Sequence, residues 1–167
     1  MKKKVLLLCP VYEPYPAGGG QSFPLVARAL SRQYSVLILT EYHQSCNFYQ
    51  FKDKVRILRI LPSRDNYGNK SFIYSSLTYV LSYIVIYFIF FLALFFGFSY
   101  FHITRYTSPL LLPALLILKI FNKKLIYDCR TSLVNPREAS NLQSSLNLYN
   151  LITCNSISSY QTSTHFS

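Results

Sequence analysis

Short apolar runs separated by polar turns predict alternating strands and helices in the first part of the chain. Val5–Leu8 is a β-rich apolar run ended by Pro10, which is typical of a buried strand. After a loop rich in proline and glycine, apolar residues recur from Phe23 to Leu30 at the spacing of one helical face. Tyr34–Leu39 predicts the next strand. This order of elements is typical of a strand–helix–strand unit with a parallel sheet.

Further strands are predicted along the rest of the chain. Val55–Leu61 predicts a third strand, in which Arg56 and Arg59 face outward. Three later strands are predicted at Tyr100–Arg105, Lys124–Cys129 and Leu151–Cys154, and a short apolar helix at Pro109–Phe121. The pattern therefore predicts an α/β fold with a Rossmann-like parallel sheet and helices on both faces. We expect residues 1–167 to form a single domain of this kind.

One long apolar segment interrupts this pattern. Residues 71–104 contain no Asp, Glu, Lys or Arg, and Leu77–Phe98 is hydrophobic and long enough to cross a membrane. Strands are predicted on both sides, and a single crossing would place them on opposite sides of the bilayer. Basic residues flank both ends, so the charges favour neither orientation. We expect a very hydrophobic crossover helix that lies in the membrane interface. A true span and a fully buried core helix remain alternatives.

The charge balance favours an anionic partner. Lys and Arg number 17 against 6 Asp and Glu, which gives a formal net charge of +11. The basic residues are not interleaved with aromatic residues as in a nucleic-acid module, so we expect an anionic membrane surface and no nucleic acid. The apolar run Val5–Cys9 is too short for a signal peptide. We therefore expect a cytoplasmic protein, peripheral or monotopic at the inner face of the cell membrane.

The residue types that could bind a metal ion or form the catalytic pair of a glycosidase show no recognised spacing in this sequence. The four cysteines form no C-x-x-C pair and have no histidines at zinc-ligand spacing, so no metal site is expected. The six acidic residues are scattered, which gives no support for a glycosidase pair. We interpret the cysteines as small buried residues in a reducing compartment.

Three consecutive glycines follow the first strand and open the first helix. Gly18, Gly19 and Gly20 would let a backbone approach a phosphate, and a helix N-terminus favours negative charge. The segment matches neither the dinucleotide fingerprint nor the P-loop, so a simple tight turn is the alternative interpretation.

The order of these segments resembles glycosyltransferase family 4. The opening VLLLCPVYEPYPAGGG of residues 5–20, the helix that follows it and the strand Ser35–Thr40 resemble the start of that family. Later segments are similar in the same order, at Arg105–Pro109, Lys124–Arg130 and Leu148–Ser156. The resemblance covers nearly the whole chain.

The resemblance implies the N-terminal, acceptor-side half of a GT-B enzyme, which transfers a sugar from a nucleotide-sugar donor. It implies a membrane-linked saccharide or another acceptor, as in surface polysaccharide synthesis, and no cofactor besides the nucleotide-sugar substrate. It also implies that Gly18, Gly19 and Gly20 lie by the donor phosphates. The 167 residues hold no C-terminal nucleotide-sugar domain, so we expect a truncated product or a second chain that carries it.

Several charged residues lie near predicted strand ends, where α/β sheets bind ligands. The candidates for the acceptor side are Glu13, Glu41, Arg105, Asp128 and Arg130. Solvated loop positions are the alternative for the two glutamates, and a local ion pair or a helix cap is the alternative for Asp128 and Arg130. His102 is interpreted as a partly buried strand residue, and no catalytic residue is assigned. The alternative function is a non-catalytic, membrane-associated α/β module that binds a partner.

Overall fold

A computed structural model describes residues 2–14, 19–62, 72–104, 109–129 and 147–154. The fold is α/β, with a seven-stranded and mostly parallel sheet, as predicted for a Rossmann-like protein. The chain divides into two compact units, Met1–Phe98 and Ser99–Ser167. The expectation of a single domain stays a prediction.

In the described residues of the first unit, four strands lie in the order β3-β4-β2-β1. Their bounds are β1 Lys4–Leu8, β2 Ser35–Glu41, β3 Tyr49–Lys52 and β4 Val55–Leu61. β1 pairs with β2 and β2 with β4 in parallel, whereas β3 is antiparallel to β4. The three parallel strands confirm the predicted segments.

The pattern did not predict β3, which is short and half polar. It is joined to β4 by Asp53 and Lys54, both of which have positive φ angles, 53° and 63°. Such a pair of angles is typical of the two-residue hairpin turn, whose usual sequence signal is a glycine. Neither turn residue is a glycine, so the local sequence does not predict this hairpin.

The first helix, α1, spans Gly19–Ser31 and covers one face of this sheet. Phe23 and Ala27 are fully buried, and Leu30 packs against the same cluster, as the helical spacing predicted. They meet the alternate strand residues Leu7, Ile38 and Ile57, with further members Val36 and Val55. Full burial of such side chains contributes about 1.5–3 kcal/mol each.

The second helix, α2, spans Phe72–Phe95 and packs against β4. It ends three residues before the predicted boundary because Gly97 has a φ of 72°, a left-handed conformation that closes helices. The Lys4 ammonium donates a hydrogen bond of 2.6 Å to the Phe96 carbonyl just beyond this helix end. Phe98 is therefore the first residue of the next strand and not part of the helix.

The second unit contains parallel strands in the order β5-β6-β7. Their bounds are β5 Phe98–Thr104, β6 Lys124–Cys129 and β7 Leu151–Cys154. A 3-10 turn at Pro109–Leu111 leads into helix α3, Leu112–Ile120, which packs on β6. The predicted strands are confirmed, and the last two have the predicted bounds. The short apolar helix is also confirmed.

Candidate functional site

The carboxyl ends of β1, β2 and β4 form a polar edge in the first unit. Beyond the end of β1, the Cys9 N–H donates to the Leu39 carbonyl at 3.1 Å, and the Pro10 carbonyl accepts from the Thr40 hydroxyl at 3.2 Å. These bonds fix the start of the loop that leads to Glu13. In parallel sheets, ligands bind beyond this edge.

Arg59 lies at the end of β4 and is buried, so the prediction that it faces outward is wrong. Only 1% of its surface is exposed. Its position follows the alternation of β4, because Val55 and Ile57 point to the same buried face. Arg56 lies on the opposite face of β4 and is exposed, as predicted.

The guanidinium of Arg59 is held by uncharged acceptors. One terminal nitrogen donates to the Asn47 carbonyl at 3.3 Å and to Oε1 of Gln50 at 3.1 Å, and the other donates to the Glu13 carbonyl at 3.3 Å. Its Nε has no hydrogen-bond partner among the described residues. Burying a charge without a counter-charge has a high desolvation cost, and these three hydrogen bonds offset that cost for the guanidinium. They also tie the loop after β1 to the segment around β3.

Tyr12 and Glu13 lie in the loop that Arg59 holds. Tyr12 is buried, and burial raises the pKa of its phenol well above the ordinary value, with a further contribution from the Glu13 carboxylate. The Glu13 carboxylate accepts a hydrogen bond from Lys52 at 2.6 Å in an ion pair that is half exposed. Glu13 is thus a paired residue at the polar edge, and its expected role toward an acceptor stays a prediction.

Glu41 is the last residue of β2 and is buried. The alternative that it occupies a solvated loop is therefore wrong. Glu41 is buried because β2 extends two residues past the predicted end at Leu39. The residue therefore belongs to the strand and not to the loop that follows it. Its expected role toward an acceptor also stays a prediction.

The glycines lie partly within the described structure. Gly19 and Gly20 form the start of α1, while Gly18 lies outside the described residues. The expected contact of this loop with donor phosphates stays a prediction.

The carboxyl ends of β5 and β6 bring three polar residues together in the second unit. His102, Thr104 and Asp128 lie on one face of the sheet, because Thr104 is the register partner of Asp128 and His102 lies two residues earlier on the same strand. All three are buried. Nε2 of His102 lies 3.5 Å from Oδ2 of Asp128, which suits an ion pair when the imidazole is protonated.

This cluster has unused hydrogen-bonding capacity. Neither Nε2 of His102 nor the Thr104 hydroxyl has a hydrogen-bond partner among the described residues. The predicted placement of His102 inside a strand is confirmed, and the ion-pair alternative for Asp128 fits the geometry. Arg105 and Arg130, the other candidates here, lie outside the described residues. The sequence did not single out Thr104, because a threonine in a strand is unremarkable until its burial is known.

Among the described residues, no group of three His, Cys, Asp or Glu side chains is placed to hold a metal ion. The chemistry available at the two edges is that of hydrogen bonding and fixed charge. Carboxylates, a hydroxyl and a guanidinium are groups that bind sugar hydroxyls or phosphates.

No protein-family model matches the chain, and no curated protein matches it.

Helix α2 has two apolar stripes. The inner stripe is buried and consists of Tyr83, Ile86, Phe90 and Ala93, with Ser82 beside it. The outer stripe is exposed and consists of Leu77, Leu81, Ile84, Phe88, Phe91 and Phe95. Within α2, Ser76–Phe95 is long and apolar enough to cross a membrane, yet only 28% of it is buried inside the structure. The alternative of a fully buried core helix is therefore wrong.

Proposed function

We propose that this chain is the acceptor-side domain of a GT-B glycosyltransferase that works at a membrane surface. The observation that carries the proposal is the exposed outer stripe of α2 on an α/β domain whose strand ends carry buried polar groups. A helix that packs one stripe on its own sheet and presents another to the surroundings is suited to the bilayer interface. A lipid-linked saccharide reaches a protein at that interface.

Support for glycosyl transfer comes from the order of the segments. The segments that resemble glycosyltransferase family 4 coincide with β1, the start of α1, β2 and β6. In the proposed reaction, the Glu41 carboxylate of the first unit accepts hydrogen bonds from acceptor hydroxyls. The backbone at Gly19 and Gly20 lies by the donor phosphates and stabilises the charge of the leaving group. The nucleotide-sugar substrate is bound by a second domain that is not among these 167 residues.

Reconstitution tests this function. The full chain is mixed with a separate chain that carries a nucleotide-sugar domain, and transfer of labelled sugar to a membrane lipid extract is measured. We expect transfer only when both chains are present. We also expect Gly19→Val to abolish it while circular dichroism stays unchanged, because a branched side chain would block the approach of a phosphate.

The same experiment separates the alternative function. If no nucleotide-sugar supports transfer with any such chain, the proposal of an enzyme fails and the non-catalytic partner-binding module remains. If transfer occurs and Gly19→Val retains wild-type rates, the glycine loop is not part of the donor site.

A further inference from the structure

The end of α3 exposes large apolar side chains in the second unit. Leu111, Ala114, Leu115 and Leu118 form its buried face. On the outer side, Ile120 is 80% exposed and Phe121 is 61% exposed, and Leu116 and Ile117 are also exposed. Like α2, this helix is apolar both inside and outside, which its own packing does not require.

A fixed turn presents these side chains. The Lys123 N–H donates to the Leu118 carbonyl, and the Asn122 N–H donates to the Lys119 carbonyl, each at 2.9 Å. Asn122 has a φ of 53°, the left-handed conformation that this pair of bonds requires. The helix therefore ends in a Schellman motif, and Phe121 lies at a defined position at its end.

Three lysines surround this turn. Lys119 and Lys124 are exposed and Lys123 is half-buried. The Lys119 ammonium donates to the Leu148 carbonyl at 3.3 Å, and none of the three forms an ion pair with a carboxylate in the described part of the chain. Residues 99–167 contain six basic and two acidic side chains. The apolar surface is thus rimmed by positive charge that no described carboxylate of its own unit neutralises.

We infer that this surface, the α3 tip, binds the headgroup region of an anionic bilayer. The α3 tip consists of Ile117, Lys119, Ile120, Phe121, Lys123 and Lys124. Its apolar side chains enter the interface, and its lysines contact lipid phosphates. The inference rests on the membrane location in the proposed function and adds a second contact. It assigns the preference for anionic lipid to the α3 tip, whereas α2 supplies apolar contact that does not depend on headgroup charge.

Flotation of the full chain with vesicles tests the α3 tip. The vesicles contain phosphatidylcholine alone or phosphatidylcholine mixed with phosphatidylglycerol. We expect the wild type to bind the anionic vesicles more tightly, with an excess that decreases as salt is added. Combined Lys119→Glu, Lys123→Glu and Lys124→Glu should weaken binding to the anionic vesicles by roughly 100-fold or more, since each lysine near such a surface contributes about fivefold and each glutamate adds repulsion.

The control carries the same change of charge elsewhere. Arg32→Glu, Lys54→Glu and Arg56→Glu replace three exposed residues of the first unit and should retain most of the anionic preference. A second variant, Ile120→Ser with Phe121→Ser, keeps all charges and the bond from Lys119 to Leu148. It should weaken binding as well, and circular dichroism checks that it folds.

The outcomes distinguish the two proposals. If the wild type binds neither kind of vesicle, the proposed membrane location fails. If it binds both kinds equally, or if the lysine variant and the control behave alike, only the α3 tip is refuted. A lysine variant that changes the oligomeric state in light scattering and leaves vesicle binding intact would assign the surface to a second copy of the chain, which also overturns the inference.

Discussion

Arg59 is the residue whose burial has the clearest energetic consequence. It is a fully buried guanidinium whose hydrogen bonds, within the described part of the chain, go to uncharged oxygens of Glu13, Asn47 and Gln50. Removing it leaves these partly buried bonds unmade and opens a cavity where the side chain was, and both effects destabilise a fold. The loop after β1 and the segment around β3 would lose their common anchor.

Arg59→Ala is therefore expected to lower the free energy of unfolding by about 2–4 kcal/mol. Urea denaturation of the full chain in mild detergent, followed by circular dichroism, measures this change. Arg56→Ala is the matched control, because Arg56 lies three residues earlier on the same strand and is exposed. It should change stability by less than about 0.5 kcal/mol. Equal effects of the two substitutions would contradict the assigned role of Arg59.

At the scale of elements, α2 differs most from a helix of an ordinary α/β domain. Its inner stripe packs on its own unit, while its outer stripe exposes six large apolar side chains along its length. Monomeric soluble proteins do not usually leave so continuous an apolar surface in water. The element therefore predicts association with an apolar phase.

Replacing Leu81, Ile84, Phe88 and Phe91 with serine should shift the chain from the membrane to the soluble fraction. The partition coefficient between membrane and water should fall about tenfold or more, because the substitutions remove apolar area from the helix surface that faces the bilayer. Flotation with phosphatidylcholine vesicles measures this shift. The control replaces four other exposed aromatic residues with serine, namely Tyr42, Phe48, Tyr49 and Phe51. An unchanged partition of the α2 variant would refute the interfacial helix.

On the scale of the whole molecule, the question is whether the chain lies on a membrane or crosses it. One stripe of α2 packs on the sheet of its own unit, so lipid does not surround the helix. This packing favours the interfacial location over a true span. The protease-sensitive lysines and arginines on the two sides of α2 allow a direct test.

Sealed vesicles from cells that express the chain are treated with trypsin from one side. We expect cleavage both before α2, at exposed sites such as Lys54 and Arg56, and after it, at an arginine outside the α3 tip such as Arg137. Fragments are identified by mass spectrometry, with detergent-opened vesicles as the reference for full cleavage. Protection of one flank until detergent is added would establish a span and refute the interfacial location.

Much of the fold was predictable because the strands are buried apolar runs bounded by turn residues. β4, β6 and β7 have the predicted bounds, and Phe23 and Ala27 lie on the predicted face of α1. β3 was missed, because its two apolar residues alternate with polar ones over only four positions. The burial of Arg59 and Glu41 was also missed, since charge in a sequence normally indicates exposure.

The order of the elements, the apolar length of α2 and the excess of positive charge could be predicted from the amino-acid sequence, because they follow from local composition and spacing. The contacts between distant side chains, by contrast, become visible in the folded chain. The fold places His102 beside Asp128, gives Arg59 its uncharged acceptors and leaves the outer stripe of α2 exposed. These features depend on strand register and on the packing of helices against the sheet, which join residues far apart in the chain.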